Sequence, residues 1–213
     1  MRKVYFIGVC GTAMATVAVL LKERGLEVRG SDEHTYPPMS DLLAHHGIEP
    51  LEGYSSDHIT PDIDLVVVGN AVSRGNPEVE CVLERRVRYC SLPEIVRDEF
   101  LWQRLPVVVT GTHGKTTTGF MTAWALSESG LDPGFLIGGV SKDFLTSGQL
   151  GSGKPFVIEG DEYDSAFFDK TAKFLKYLPH ILVVNNVEFD HADIYSDLKE
   201  LRRAFTRLVN LVP

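Results

Sequence analysis

Apolar and polar positions along this chain fall into blocks. Short runs with β-branched residues, Lys3-Val-Tyr-Phe-Ile7, Asp64-Leu-Val-Val-Val-Gly69, Val107-Val-Val-Thr110, Phe156-Val-Ile-Glu159 and His180-Ile-Leu-Val-Val184, are apolar at successive positions. That is the pattern of strands covered on both faces, as in a parallel sheet. Between them lie helical signals: Met14 to Leu21 stopped by Gly25, Pro38 to His46 ending at Gly47, and Pro77 to about Arg86 with proline at the first helical position. Further helices are predicted over Leu92 to Trp102, over Lys115 to about Ser129 closed by Gly130, and over Asp197 to Leu211. Leu26 to Gly30, Arg88 to Cys90 and part of Pro133 to Gly139 supply additional short strands, while Thr146 to Lys154 reads as a glycine-rich loop. Strands alternating with helices predict an α/β fold with a parallel, doubly wound sheet. The pattern restarts near Gln103-Arg-Leu-Pro106. It therefore predicts a Rossmann-like N-terminal domain over residues 1–104 and a P-loop α/β domain over residues 105–213.

The second block opens on the stretch that carries the most chemistry. The strand ending at Thr110 runs into Gly111-Thr-His-Gly114, then Lys115 and three threonines, Thr116, Thr117 and Thr118, that begin a helix. Strand, glycine turn, lysine, hydroxyl and helix is the recipe for seating a nucleotide triphosphate. Backbone N–H groups face the phosphates, Lys115 reaches the β- and γ-oxygens, and the Thr116 hydroxyl is offered to Mg²⁺. Only two residues separate Gly111 from Gly114-Lys115, where the usual pattern has four. The mechanism needs the turn, the lysine and the helix start rather than one loop length. Three hydroxyl residues make a poor helix start unless they have ligands, so ATP is expected on Gly111, Thr112, His113, Gly114, Lys115, Thr116 and Thr117.

The first block carries a weaker phosphate signal. Gly8-Val-Cys-Gly11 follows a strand and precedes a helix, and Ser31-Asp32 closes the next strand. That resembles a dinucleotide-binding unit with an acidic residue about 20 residues past the glycines. Cys10 stands where the second glycine belongs and Met14 where the third does, so NAD is not expected. Ligands of such sheets sit beyond the carboxyl ends of the strands, where Gly8–Gly11, Ser31-Asp32 and Asn70–Asn76 all fall. Asn70 and Asn76 read equally well as turn residues.

Two acidic loops also leave strand ends. One carries Glu159, Asp161, Glu162 and Asp164; the other carries Glu188, Asp190, His191 and Asp193. An ATP site needs oxygen ligands for Mg²⁺. Most of these residues read as solvated loop surface and Asp164 and Asp193 as helix caps; Glu162 and His191 are the preferred metal ligands, though spacing alone does not single them out.

Composition narrows the partners. A chain of 213 residues with 44% hydrophobic and 23% charged residues is an ordinary globular protein. A net charge of −8 argues against nucleic acid. No apolar run is long enough to cross a bilayer, and the N-terminus enters a strand without a secretory signal, which makes no membrane and a cytoplasmic location the expectation. Cys10, Cys81 and Cys90 have no metal-ligand spacing and fit reduced thiols.

Taken together, Gly111-Thr-His-Gly-Lys-Thr-Thr-Thr118, Glu159-Gly-Asp-Glu-Tyr-Asp164 and Asn185-Asn-Val-Glu-Phe-Asp-His191 resemble the central ATPase domain of the Mur ligase family. Gly8-Val-Cys-Gly-Thr-Ala-Met14, Gly30-Ser-Asp32, Asn70-Ala-Val-Ser73 and Asn76-Pro-Glu78 resemble that family's UDP-binding domain. Cys10-Gly-Thr12 and the run from Glu162 to Lys170 are closest to the branch that attaches a murein tripeptide. The L-alanine-adding branch more often has Gly-Gly-Ala-Gly-Met in the first turn and Glu-Ser-Asp in the acidic loop. The resemblance implies a cytoplasmic, ATP- and Mg²⁺-dependent amide ligase of peptidoglycan recycling. It would join UDP-N-acetylmuramate to L-Ala-γ-D-Glu-meso-diaminopimelate through an acyl phosphate. It implies Lys115, Glu162 and His191 as catalytic residues and Thr116, Glu162 and His191 as metal ligands, with His113 shaping the loop near the acyl phosphate or serving structure alone. UDP-muramate would contact Gly8, Cys10, Gly11, Thr12, Ser31, Asp32, Asn70, Ser73 and Asn76. A carbamylated lysine occurs in several members, and Lys170 is not assigned that role. The family has a third domain that receives the amine, whereas this chain stops inside what should be the central domain, so these residues alone are expected to bind but not to ligate. An L-alanine ligase and a non-catalytic UDP-sugar or nucleotide-binding module are the alternatives; a folylpolyglutamate synthase, which begins with its ATPase domain, fits the first half poorly.

Overall fold

The computed structural model describes residues 1–188, 195 and 197–213. They form two compact units, residues 1–95 with 166–170, and residues 96–165 with 171–213. The division passes between Ile95 and Val96, inside a helical segment that the sequence pattern leaves wholly with the first block. Residues 166–170 join the first unit, where Phe167 and Phe168 pack against its core and the Phe168 ring meets Tyr89 edge-on.

In the first unit β1 (Lys3–Ile7), α1 (Thr12–Glu23), β2 (Glu27–Asp32), α2 (Met39–His45), β3 (Leu51–Glu52), β4 (Leu65–Val68), α3 (Pro77–Glu84) and β5 (Tyr89–Ser91) follow in order. Every pairing is parallel, in the order β3-β2-β1-β4-β5. β1 and β4 expose none of their apolar side chains, as expected of strands covered on both faces. The eight residues Met14–Leu21 of α1 are likewise all buried, which is why that helix is apolar all round. Gly25, at φ +90°, ends it, with Leu26 donating back to Leu21. Strand order reverses at β1, with β2 on one side and β4 on the other, so a crevice opens beyond the ends of β1 and β4. The register aligns Ile7 with both Ser31 and Val68, bringing Gly8, Asp32 and Gly69 to the same edge.

Leu92–Val96 forms α4 and passes directly into a π-helical turn, Arg97–Leu101, so the single helix expected over Leu92–Trp102 is wound in two ways. Along the chain follow β6 (Leu105–Thr110), α5 (Lys115–Glu128), β7 (Gly134–Leu136), β8 (Gly148–Gln149), β9 (Pro155–Gly160), β10 (Asp164–Ala166), β11 (Asp169–Ala172), β12 (Ile181–Val184) and α6 (Leu198–Val209), all in the second unit except Ala166 of β10 and Asp169-Lys170 of β11. The second unit's sheet runs β12-β6-β9-β7-β8, parallel except for the antiparallel β7–β8 pair; β10 and β11 form a separate ribbon. Asp164 therefore starts a strand and caps no helix, because the chain after it is extended. Asp197 does cap α6, accepting from the Glu200 N–H. Asp193 lies outside the described residues. Among the described residues no helix is long and apolar enough to cross a membrane.

Candidate nucleotide sites in the two units

β6 is the strand that leads into the glycine turn. It pairs with β9 on one side and β12 on the other, so the turn after Thr110, the acidic loop after Gly160 and Asn185-Asn186 all leave the same sheet edge. Gly111 has φ +132°, and a Cβ there would lie 2.9 Å from the Asn186 carbonyl oxygen. Gly114 has φ +77°, and its Cβ would lie 3.2 Å from Asn185 Nδ2. Both glycines are demanded by backbone conformation and by the approach of one neighbouring segment. That segment clamps the turn. Thr112 N donates to Asn186 O (3.1 Å), His113 N donates to Asn186 Oδ1 (2.8 Å), and Asn185 Nδ2 donates to His113 O and Thr118 Oγ1 (3.2 and 3.1 Å). Thr112 Oγ1 both donates to Glu188 O and accepts from Glu188 N.

The N–H groups of Thr112 and His113 are thus engaged within the protein. The donors left to face an anion are those of the α5 start, which carries no side-chain cap at Gly114. Lys115 bends back over the turn. Its Nζ donates to Gly111 O (2.7 Å) and Thr112 O (3.3 Å) and lies 3.1 and 3.2 Å from the two Glu162 carboxylate oxygens. The lysine side chain is 15% exposed and that of Glu162 only 1%. Lys115 is therefore not the exposed loop lysine that its place after a glycine turn suggests; a buried carboxylate draws it in.

Thr116 Oγ1 donates to Glu159, 3.2 and 3.1 Å from its two oxygens, and Glu159 Oε2 accepts from Gly138 N at 2.8 Å. Burial holds the Glu159 carboxyl above the usual carboxylate range, with the Gly138 N–H and the Thr116 hydroxyl pulling the other way. Pairing Thr116 with a carboxylate at the end of the adjacent strand brings together two oxygen donors suited to a hard cation. The sequence pattern favours Glu162 over Glu159 as a metal ligand; the position of Glu159 as the last residue but one of β9, beside β6, is the signal that distinguishes it. Glu162 is occupied with Lys115, and Tyr195 OH donates to its backbone carbonyl at 2.8 Å. His191 lies outside the described residues. Among the described residues no three His, Cys, Asp or Glu side chains gather as a metal cluster.

In the first unit a cavity of about 600 Å³ occupies the crevice at the strand-order reversal. Gly8, Cys10, Gly11, Asp32, Asn70, Ser73 and Asn76 line it. Gly8 and Val9 donate to Ser31 O (2.9 Å each) and Cys10 N donates to Asp32 Oδ2 (2.8 Å), which shapes the glycine turn. Thr12 and Ser31 are not among the lining residues. Thr12 starts α1, and the Ser31 hydroxyl is buried and donates to Glu78 Oε2 at 2.6 Å. Asn76 has two roles, for it lines the cavity and also caps α3, its Oδ1 accepting from Glu78 N and Val79 N. Glu33, His34, Tyr36 and Tyr54 also line it, which the sequence pattern does not signal; the first three simply continue the chain past the carboxyl end of β2. Burial and the Asp32 carboxylate push the Cys10 thiol up to about 11.

One unit thus gathers a lysine, a hydroxyl and two carboxylates at a helix start without a side-chain cap, and the other has a strand-end crevice. Residues 3–99 match the family described as "Mur ligase family, catalytic domain", and residues 109–213 match "Mur ligase middle domain". A crystal structure of UDP-N-acetylmuramate:L-alanyl-gamma-D-glutamyl-meso-diaminopimelate ligase from Neisseria meningitides superposes with a TM-score of 0.92 at 44% identity, covering 100% of this chain and 69% of that one. The chain belongs to the Mur ligase family. Among Mur ligases, the UDP-N-acetylmuramate–L-alanyl-gamma-D-glutamyl-meso-2,6-diaminoheptandioate ligase of Escherichia coli is 50% identical over 99% of this chain and 46% of its own length. The UDP-N-acetylmuramate–L-alanine ligase of Desulforapulum autotrophicum is 35% identical over 99% of this chain and 44% of its own length. The chain thus spans about half the length of the curated Mur ligases it matches.

Proposed function

We propose that these residues bind UDP-N-acetylmuramate and ATP and serve a ligase that joins the muramyl carboxylate to the amine of L-alanyl-γ-D-glutamyl-meso-diaminopimelate, in the cytoplasm. The observation that carries the choice of amine is the identity to the E. coli tripeptide ligase, 50%, against 35% to an L-alanine ligase over the same length of chain.

The first unit's cavity takes the UDP-muramate, with Gly8, Cys10, Gly11, Asp32, Asn70, Ser73 and Asn76 around it. The α5 start takes the ATP phosphates. Phosphoryl transfer makes few covalent demands on the protein; it needs positioning and neutralisation of charge. Lys115 supplies one cation. Thr116 and Glu159 fit a magnesium ion, as oxygen donors of neutral and anionic type placed at one point, with Glu162 and His191 as further candidates. When bound, that ion neutralises charge on the transferring phosphoryl group. Attack of the muramyl carboxylate oxygen on the γ-phosphorus forms an acyl phosphate and releases ADP; the peptide amine then displaces phosphate. Lys115 is held between Glu162 and two carbonyls in this structure, so ATP binding requires it to exchange at least part of that set for phosphate oxygens.

Calorimetry of the 213-residue chain with UDP-N-acetylmuramate and, separately, with Mg·ATP tests the two-site assignment, and two independent one-to-one isotherms are expected. Absence of binding by UDP-muramate would sink it. ADP release by the ligase that depends on the tripeptide and not on L-alanine decides the amine; the opposite preference would return the protein to the L-alanine branch.

A further inference from the structure

Glu78 is the one ionisable side chain of the first unit with no solvent exposure at all among the described residues, and neither nucleotide site uses it as a ligand. A buried carboxylate is costly unless several donors satisfy it. Here four do. Tyr5 OH donates to Oε1 at 3.0 Å, Ser31 Oγ donates to Oε2 at 2.6 Å, His58 Nδ1 lies 2.6 Å from Oε1, and Ser55 N donates to Oε1 at 3.4 Å.

The origin of these donors matters more than their number. They come from the middle of β1, the end of β2, and the segment between β3 and β4 that forms a 3₁₀ turn at Ser56–His58. Ser31, Ser55 and Glu78 itself each adjoin a residue of the cavity wall, while Tyr5 lies three residues before Gly8 and His58 four after Tyr54. Ser31 precedes Asp32, and its carbonyl receives the Gly8 and Val9 N–H groups of the glycine turn. Ser55 follows Tyr54, and Glu78 itself follows Asn76 and Pro77. An apolar residue at position 78 would fill the same volume in the core but would tie none of these segments together.

We infer that Glu78 is a positioning residue for the uridine diphospho-sugar: from beneath the cavity it fixes the β2 end and the Tyr54 wall relative to the glycine turn, so that the site is formed before ligand arrives. The inference rests on the reading of that cavity as the UDP-muramate site. A preformed wall costs less ordering on binding, and its loss appears as weaker affinity.

Side-chain chemistry gives a clean test. Glutamine can keep every link. Its carbonyl oxygen replaces Oε1 for Tyr5, His58 and Ser55, and its amide donates to the Ser31 hydroxyl, which turns from donor to acceptor. Alanine keeps none. Calorimetry with UDP-N-acetylmuramate is run on wild type, Glu78→Gln, Glu78→Ala and His58→Ala, with Mg·ATP titrated in parallel. The expected result is Glu78→Ala weakened about tenfold or more, the equivalent of about 1.4 kcal/mol, His58→Ala weakened less, Glu78→Gln close to wild type, and ATP affinity equal in all four. The binding stoichiometry separates positioning from simple misfolding. A misfolded fraction lowers the number of sites and leaves the dissociation constant alone, whereas a displaced wall keeps one site per chain and raises the constant. If Glu78→Ala loses sites, His58→Ala decides. Full stoichiometry with wild-type affinity in the decisive variant overturns the inference, and so does a Glu78→Gln as weak as Glu78→Ala. A wild type that binds no UDP-muramate overturns the function reading and this inference with it, so the two failures are distinguishable.

Discussion

Replacing Lys115 by alanine tests whether the phosphate-turn lysine is also a structural cation. Its ammonium lies 3.1 and 3.2 Å from the Glu162 oxygens and 2.7 and 3.3 Å from two carbonyls, with the glutamate 1% exposed. Removing one partner of a buried pair costs about 3–5 kcal/mol, because the other charge stays behind. The lysine's partial exposure lets water replace some of the interaction, so a loss of about 3 kcal/mol in the second unit is expected. Neutralising the abandoned charge should recover part of it: Lys115→Ala with Glu162→Gln is expected to be more stable than Lys115→Ala alone by about 1–2 kcal/mol, part of the cost of leaving the carboxylate buried and unpaired. Urea unfolding measures both. The chain's two tryptophans, Trp102 and Trp124, lie in the second unit, so their fluorescence follows that unit's transition. A Lys115→Ala variant within about 0.5 kcal/mol of wild type, the range of ordinary surface substitutions, would refute the reasoning. A double variant no more stable than the single one would do the same. Loss of ATP turnover in Lys115→Ala is interpretable only after this correction.

Two further outcomes are expected. Asn76→Ala removes the α3 cap, at a cost of about 1 kcal/mol, and weakens UDP-muramate without changing ATP affinity; equal losses for both ligands in calorimetry would contradict the two-site division. Cys10 holds its proton until about pH 11, so its alkylation by iodoacetamide, followed by mass spectrometry, should be slow at neutral pH, accelerate as pH rises toward that value, and be slowed by UDP-muramate; rapid modification at pH 7 would show a thiol in another environment.

The sheet-building strands were legible because each is a short, continuous apolar run, and the glycine turn and lysine because their order along the chain is itself the motif. What escaped was whatever depends on a partner distant in sequence. β3 is two residues long and both are exposed, so it carries no apolar signal of its own. The β10–β11 ribbon hides in a polar, lysine-containing stretch whose pattern is neither helical nor alternating. The roles of Glu159 and Glu162 could not be separated by spacing, because what distinguishes them is which helix-start side chain each meets: Thr116 for the first and Lys115 for the second. Ser31 looked like a ligand from its place at a strand end, yet its hydroxyl is consumed by a glutamate 47 residues later. Asn185 and Asn186 were quoted as part of a motif without a role, since their partners lie more than 60 residues away.

Those two asparagines bear on how a triphosphate can be seated beside acidic loops. The turn needs an acceptor for His113 N–H and a donor for His113 C=O, and Asn186 and Asn185 supply one each. An aspartate at 186 would accept the same N–H as well or better, since charge-assisted hydrogen bonds are the stronger kind. Stability therefore does not explain the amide; the proposed ligand does. A carboxylate beneath the turn would repel the phosphates, and at an effective dielectric of about 20 a unit charge about 6 Å from one phosphate charge costs about 3 kcal/mol. Asn186→Asp is accordingly expected to leave the urea midpoint of the second unit unchanged or raised, while weakening Mg·ATP by about a hundredfold at low salt. The defect should shrink as ionic strength rises and the repulsion is screened. If Asn186→Asp binds ATP as wild type does, the phosphates do not sit over this turn, and the assignment of the α5 start as the triphosphate site fails with it.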